Sequence, residues 1–303
     1  VPEIEGTKID YEKLTEDISD AVKTGRTVAD LEEDGCYINP TAYASDLTKD
    51  CEQMNDLTDV VVTYDFSDRK ETVDRSVIKG MLGRDENDNL VVSKDAVAAY
   101  VADLAGKYDT AGTERTFSTY DNRDITVSGG NYGWVIDQQK EADALYKDIT
   151  EKKTEVREPV YEQKAASRKI NDIGYSYIEI DLSAQRMVLY QNGSPIVDTG
   201  FAASSSTPTG VYRLGDKQEA ASVDFWMPFT DKLGIYGDSG LVITGTDVSD
   251  ETGDSGDFGS SEESVDFGSS DSWMSTEGCI VLPEEQAQTI YQNVDSGLPV
   301  VIY

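Results

Sequence analysis

The chain has 303 residues, with 59 acidic against 26 basic side chains, a formal net charge of −33 and no histidine. That composition excludes a Ser-His-Asp triad, a histidine-ligated zinc site and an imidazole proton shuttle, and its charge argues against nucleic acids and anionic membrane surfaces as partners. A hydrophobic share of 38% with 17 tyrosines is too rich for a disordered chain, and the length predicts two domains with their own cores.

No run approaches the roughly 18–20 apolar residues of a membrane span. The opening VPEIEGTKID is neither a signal peptide nor an initiator methionine, so it reads as a chain trimmed of a targeting or anchor segment. The acidity suits an extracellular protein. Cys36 and Cys51 lie 15 residues apart and are open to two readings, a disulfide or two thiols; Cys279 is then the odd cysteine.

In chain order, Val60 to Tyr64 reads as a strand. Lys94 to Tyr108 carries Val97, Tyr100, Val101 and Leu104 at helical spacing, with Ser93 as N-cap. Ile125-Thr126-Val127 ends at Gly129-Gly130. Gln138 to Ile149 is a second helix with Ala142, Leu145 and Ile149 on one face. From Lys152 to Asp172 charge rises and periodicity fades around Pro159, which predicts a linker; we place it at 156–172, between domains at 1–155 and 173–303.

The second domain reads mainly as β. Ile178, Ile180 and Leu182 alternate, Met187 to Tyr190 follows, and Asn192-Gly193 signals a hairpin. Val211 to Leu214 continues after the turn at Thr207 to Gly210. Residues 247–275 hold nine acids, nine serines and no base, with Asp-Phe-Gly-Ser-Ser twice, which reads as an acidic Ser-rich insertion at 247–272. A solvated loop is the plain reading. A calcium site from Asp247, Asp250, Asp254 and Asp257 is the sharper one, though EF-hand spacing is absent. Pro283 opens a helix at its first position with Glu284 and Glu285 in the first turn; Ala287, Ile290, Tyr291 and Val294 form its inner face, and Leu298 to Tyr303 is a closing strand.

Ser275-Thr276-Glu277-Gly278-Cys279-Ile280-Val281-Leu282-Pro283 resembles the L,D-transpeptidase signature, which reads Ser-His-Gly-Cys-Ile-(Arg or Asn)-(Leu or Met). Tyr177 to Leu182 with Gln185, Thr207 to Tyr212, Trp226 to Phe229, Gly234-Ile235 and Gly297 to Val301 match in the same order, so the resemblance covers about 170–303. Gly35-Cys36-Tyr37, Leu104 to Thr110 and Val127 to Trp134 resemble the peptidoglycan-binding domain found upstream in Gram-positive members. The resemblance implies an α+β N-terminal domain followed by a mainly-β sandwich with a short C-terminal helix. It implies a cell-envelope acyl transferase that joins peptidoglycan stem peptides through a cysteine, with no cofactor. Such an enzyme is trapped by carbapenems, and this chain is expected to be a monomer.

By position, Cys279 matches the nucleophile, Gly278 an oxyanion donor through its backbone N–H, and Trp226, Ser275 and Thr276 fall at substrate-binding positions. Read from the residues alone, Cys279 is either a nucleophile or a buried small hydrophobe. The family's two histidines are replaced: Tyr236 follows Gly234-Ile235 where one belongs, and Glu277 stands inside the signature. An ordinary thiol with pKa near ~8.5 is only a few per cent ionised at neutral pH. From Leu233 to Tyr303 there are 14 acids and no Lys or Arg, so the charge of Glu277 is expected to oppose the thiolate unless Lys217 or Lys232 reaches it. The sequence therefore predicts weak or absent transpeptidase activity. A non-catalytic peptidoglycan-binding or structural envelope protein is the alternative.

Overall fold

Alternating apolar residues and turn-forming Asn and Gly build a β-rich second half, while helical spacing dominates the first. The computed structural model describes residues 8–38, 44–218, 223–241, 243 and 277–303. In chain order the first elements are α1 (Tyr11–Thr24), α2 (Ala44–Leu57), β1 (Val62–Asp65), β2 (Lys70–Val73), α3 (Arg75–Lys79), β3 (Leu82–Arg84), β4 (Leu90–Val92) and α4 (Lys94–Tyr108). Then come β5 (Arg115–Ser118), β6 (Asp124–Val127), β7 (Val135–Ile136), α5 (Gln138–Thr150), β8 (Glu155–Arg157) and β9 (Tyr161–Gln163). The last part holds β10 (Tyr177–Asp181), β11 (Arg186–Gln191), β12 (Ser194–Gly200), β13 (Ala202–Ala203), β14 (Gly210–Arg213), β15 (Asp224–Pro228), β16 (Gly234–Asp238), β17 (Ile280–Pro283), α6 (Glu284–Asn293) and β18 (Pro299–Ile302).

The chain divides into two compact units. One comprises Val1–Thr63, Thr72–Val97 and Ala144–Val156. Its first helix is capped as the chemistry of Asp and Gly dictates: the Asp10 carboxylate accepts from the Glu12 and Lys13 N–H groups, and Gly25 closes α1 at φ 71°. Cys36 is buried and Cys51 lies exposed on α2; both are thiols, so of the two readings for this pair the structure has the unbridged one.

The second unit comprises Tyr64–Glu71, Ala98–Asp143 and Arg157–Tyr303. Two sheets carry it, a five-stranded one in the order β12-β11-β10-β18-β14 and a four-stranded one in the order β13-β17-β16-β15. The Asn192-Gly193 turn joins β11 to β12 with Gln191 opposite Ser194. One apolar core joins the sheets: Ile178, Ile180, Met187 and Leu189 from the first meet Met227, Ile235, Ile280 and Leu282 from the second, with Ala287, Ile290 and Val294 from α6. Every one of these is 2% exposed or less, and burial on that scale stabilises a fold by about 1.5–3 kcal/mol per large apolar side chain. The sandwich and the short C-terminal helix agree with expectation. Pro283 stands one residue outside α6, at the cap rather than the first helical turn, because it still pairs with Asp238 as the end of β17.

The stretch read as a linker, 156–172, includes β9, which pairs with β7. Within the same unit the Arg168 guanidinium lies 4.3 Å from the Trp134 ring centroid.

Candidate active site

Parallel pairing of β16 and β17 sets Tyr236 opposite Val281 and Ile235 opposite Ile280. Since side chains alternate across a strand, Gly234 and Tyr236 share a face with Cys279 and Val281. Trp226, Tyr236 and Cys279 form one buried cluster there, edged by Val223, Leu233 and Val281. Trp226 and Tyr236 hold their ring centroids 6.2 Å apart. Gly234 is needed beneath the indole: a Cβ at that position would stand 2.7 Å from the ring.

The turn before β17 is equally constrained. Gly278 has φ 93°, and a Cβ there would meet Leu233 at 3.2 Å and the Ser206 carbonyl at 3.3 Å. Its N–H donates to Ser204 Oγ at 2.8 Å, and Ser204 Oγ lies 2.7 Å from Ser206 Oγ. Sequence reasoning did not single out Ser204 or Ser206. The only trace was the Ser-rich run 204–206 ahead of the Thr207 turn.

Cys279 is 1% exposed. Burial pushes its thiol pKa above the ordinary value, and a hydrogen bond from the Gly234 backbone pulls weakly the other way. The expected opposition from Glu277 is not among the causes: Glu277 is exposed, and desolvation rather than like charge raises this thiol. Tyr236 is pushed up to about 12, first by burial and then by the charges of Cys279 and Asp238. It is therefore a phenol at neutral pH. Neither candidate cation is among the causes of the thiol's shift. Lys217 Nζ donates to the carbonyls of Tyr291 and Val294 at 2.8 and 2.9 Å, closing the C-terminal end of α6. Lys232 is exposed in the β15–β16 turn.

The structure thus brings Trp226, Tyr236, Gly278 and Cys279 together, with Glu277 beside them at the surface. Ser275, Thr276 and the calcium candidates Asp247, Asp250, Asp254 and Asp257 lie outside the described residues. Among the described residues no group of acids and cysteines is placed to hold a metal ion.

Residues 175–302 match the family model of the L,D-transpeptidase catalytic domain, and residues 41–157 match the model described as "Putative peptidoglycan binding domain". Residues 175–302 thus form a domain of the L,D-transpeptidase family. Solved structures agree on the fold. A cysteine-to-serine variant of the Enterococcus faecium L,D-transpeptidase is 24% identical, with a TM-score of 0.57 over 84% of this chain and 100% of its own. The structure of the Ldtfm-avibactam carbamoyl enzyme is also 24% identical with a TM-score of 0.57, over 85% of this chain and 98% of its own. No curated protein matches the chain. The two matched domains associate this L,D-transpeptidase homologue with peptidoglycan and the cell envelope. Among the described residues no helix is long and apolar enough to cross a membrane.

Proposed function

We propose that this protein is an extracytoplasmic L,D-transpeptidase homologue in which Cys279 is the nucleophile and acyl transfer is slow at neutral pH. In the reaction, Cys279 Sγ attacks the carbonyl of a donor stem peptide, a thioester forms and the terminal D-amino acid leaves with a proton. An acceptor amine then takes the acyl group and returns the thiol. The observation that carries the reading is a fully buried cysteine packed against a tyrosine where the family has histidine. Burial restrains thiolate formation, and Tyr236, un-ionised, is fitted to donate a hydrogen bond rather than abstract a proton. Gly278 N–H serves as oxyanion donor by exchanging Ser204 Oγ for the substrate oxygen. Trp226 and Leu233 frame the thiol. The N-terminal domain, 1–155, supplies peptidoglycan binding and 156–172 connects it to 173–303. The limits of the two family models, ending at 157 and starting at 175, support that division.

The test is prolonged incubation with a carbapenem followed by intact mass. A slow adduct is expected on the wild type, faster as pH rises, and none on Cys279→Ala. No adduct at pH 9 on a folded wild-type chain would overturn the catalytic reading and leave a non-catalytic peptidoglycan-binding or structural envelope protein.

A further inference from the structure

Beside β15 runs a groove of about 580 Å³, bordered by Asn131, Arg213, Asp216, Gln218, Asp231 and Ser296 among others. Its volume lies within the range of small-molecule sites. It is polar, and it holds both signs of charge.

Arg213 sets it apart. Of the ten arginines, eight pair with carboxylates: Arg26, Arg69, Arg75, Arg84, Arg115, Arg123, Arg157 and Arg186. Arg168 bonds to the Tyr108 carbonyl and lies over aromatic rings. Among the described residues, Arg213 alone has a guanidinium with no carboxylate, carbonyl or ring against it; its backbone N–H donates to Asn131 Oδ1 at 2.7 Å. Arg213 is exposed, in a chain of net charge −33. Asp216 and Asp231 line the same groove, yet neither stands within the 4.0 Å of an ion pair with it.

We propose that this groove is a binding site for the zwitterionic end of an α-amino acid. The carboxylate meets Arg213, helped by the Asn131 amide and the Ser296 hydroxyl, and the ammonium meets Asp216 and Asp231. The opposite charges share one groove but are kept apart, which leaves room for a ligand that carries both. A simple anion is disfavoured by the net charge of the chain. A simple cation gives Arg213 no counterpart. An amino-acid zwitterion satisfies both poles, and guanidinium and carboxylate match in geometry. The site goes beyond the acyl transfer proposed above and does not need Cys279, so binding is measured on the Cys279→Ala variant as well as on the wild type.

The test is titration of the ¹⁵N-labelled full chain with three probes, followed through the Gly215 and Gly297 amides, which lie in and beside the groove. The probes are D-alanine, N-acetyl-D-alanine without the ammonium, and D-alanine methylamide without the carboxylate. D-alanine is expected to bind about tenfold or more tightly than either capped form, the loss of one charged hydrogen-bonding partner. Arg213→Gln is expected to remove the advantage over the methylamide, and Asp216→Asn with Asp231→Asn the advantage over the acetyl form. Unchanged melting temperatures show that these surface variants fold. Three results overturn the proposal: equal binding of all probes, no saturable shift with D-alanine, or wild-type titration by Arg213→Gln. Failure of carbapenem acylation with intact D-alanine binding would remove the acyl-transfer reading and leave this site standing.

Discussion

Replacing Tyr236 by histidine restores an imidazole beside Cys279 and addresses the lesion directly. In the wild type, burial holds the thiol above the ordinary value near ~8.5, so its thiolate fraction at pH 7 is below about 3%. Cysteines activated by a neighbouring imidazolium or other cation, a metal, a helix N-terminus or a Cys-X-X-Cys motif have pKa values of about 3.5–7.5. Even at the upper limit, the thiolate fraction at pH 7 rises to about a quarter, a gain of roughly tenfold. Tyr236 shares its face of the sheet with Cys279 within one buried cluster, so the new ring lies on the side of the thiol. Histidine is smaller than tyrosine and less apolar, and emptying part of a fully buried site costs about 1–3 kcal/mol of stability. The assay is the second-order rate of carbapenem acylation between pH 6 and 10, with circular dichroism to confirm folding. The wild-type rate is expected to climb through the whole range. The Tyr236→His rate is expected to level off near neutrality and to exceed the wild type about tenfold at pH 7. A folded variant with the wild-type rate and slope would refute the claim that the missing imidazole limits the thiol.

Further expectations concern the frame around the site. Glu179 is fully buried with its pKa raised by burial; Oε1 accepts from the Tyr120 N–H at 2.7 Å and the Tyr303 hydroxyl at 2.8 Å, and Oε2 has no partner among the described residues. A raised acid favours its protonated form in the fold, so that stability is present below about pH 4.3 and lost as pH rises through the folded value. Glu179→Gln should flatten this dependence and add about 1–2 kcal/mol at pH 8, read from urea melts; a destabilised Gln variant would contradict it. Gly278→Ala, at φ 93°, should cost about 1–3 kcal/mol and slow acylation, because the new methyl meets Leu233 and Ser206; wild-type melting would show the turn to be unstrained. Lys217→Met removes two bonds to the α6 carbonyls and should lower stability by about 1–3 kcal/mol and raise amide exchange in the last turn of α6; unchanged exchange there would rule out the cap.

Much of the fold is legible in local pattern. The alternation at Ile178 and Ile180 and the turn at Asn192-Gly193 give the first strands of the sandwich, and Val97, Val101 and Leu104 give α4. Tyr236 and Cys279 are legible through the order of motifs. Their contact is not, because parallel pairing of β16 and β17 joins residues over 40 positions apart and no local period records it. The charge of the chain misled in one respect. Counting 14 acids after Leu233 suggested that Glu277 restrains the thiol, whereas the fold leaves Glu277 exposed and buries Cys279, so desolvation does that work. The roles of Lys217 and Ser204 were also invisible, since a lysine bonded to a helix end and a serine under a glycine N–H carry no sequence signature.

The ionisation of Cys279 is the most direct point of attack. Alkylation by iodoacetamide, followed by peptide mass from pH 6 to 10.5 in a Cys36→Ala, Cys51→Ala background, reports it without substrate. A rate that keeps rising beyond pH 9 is expected for a buried thiol with no imidazole beside it. A midpoint below pH 7 would contradict it and show that this fold activates its cysteine without histidine.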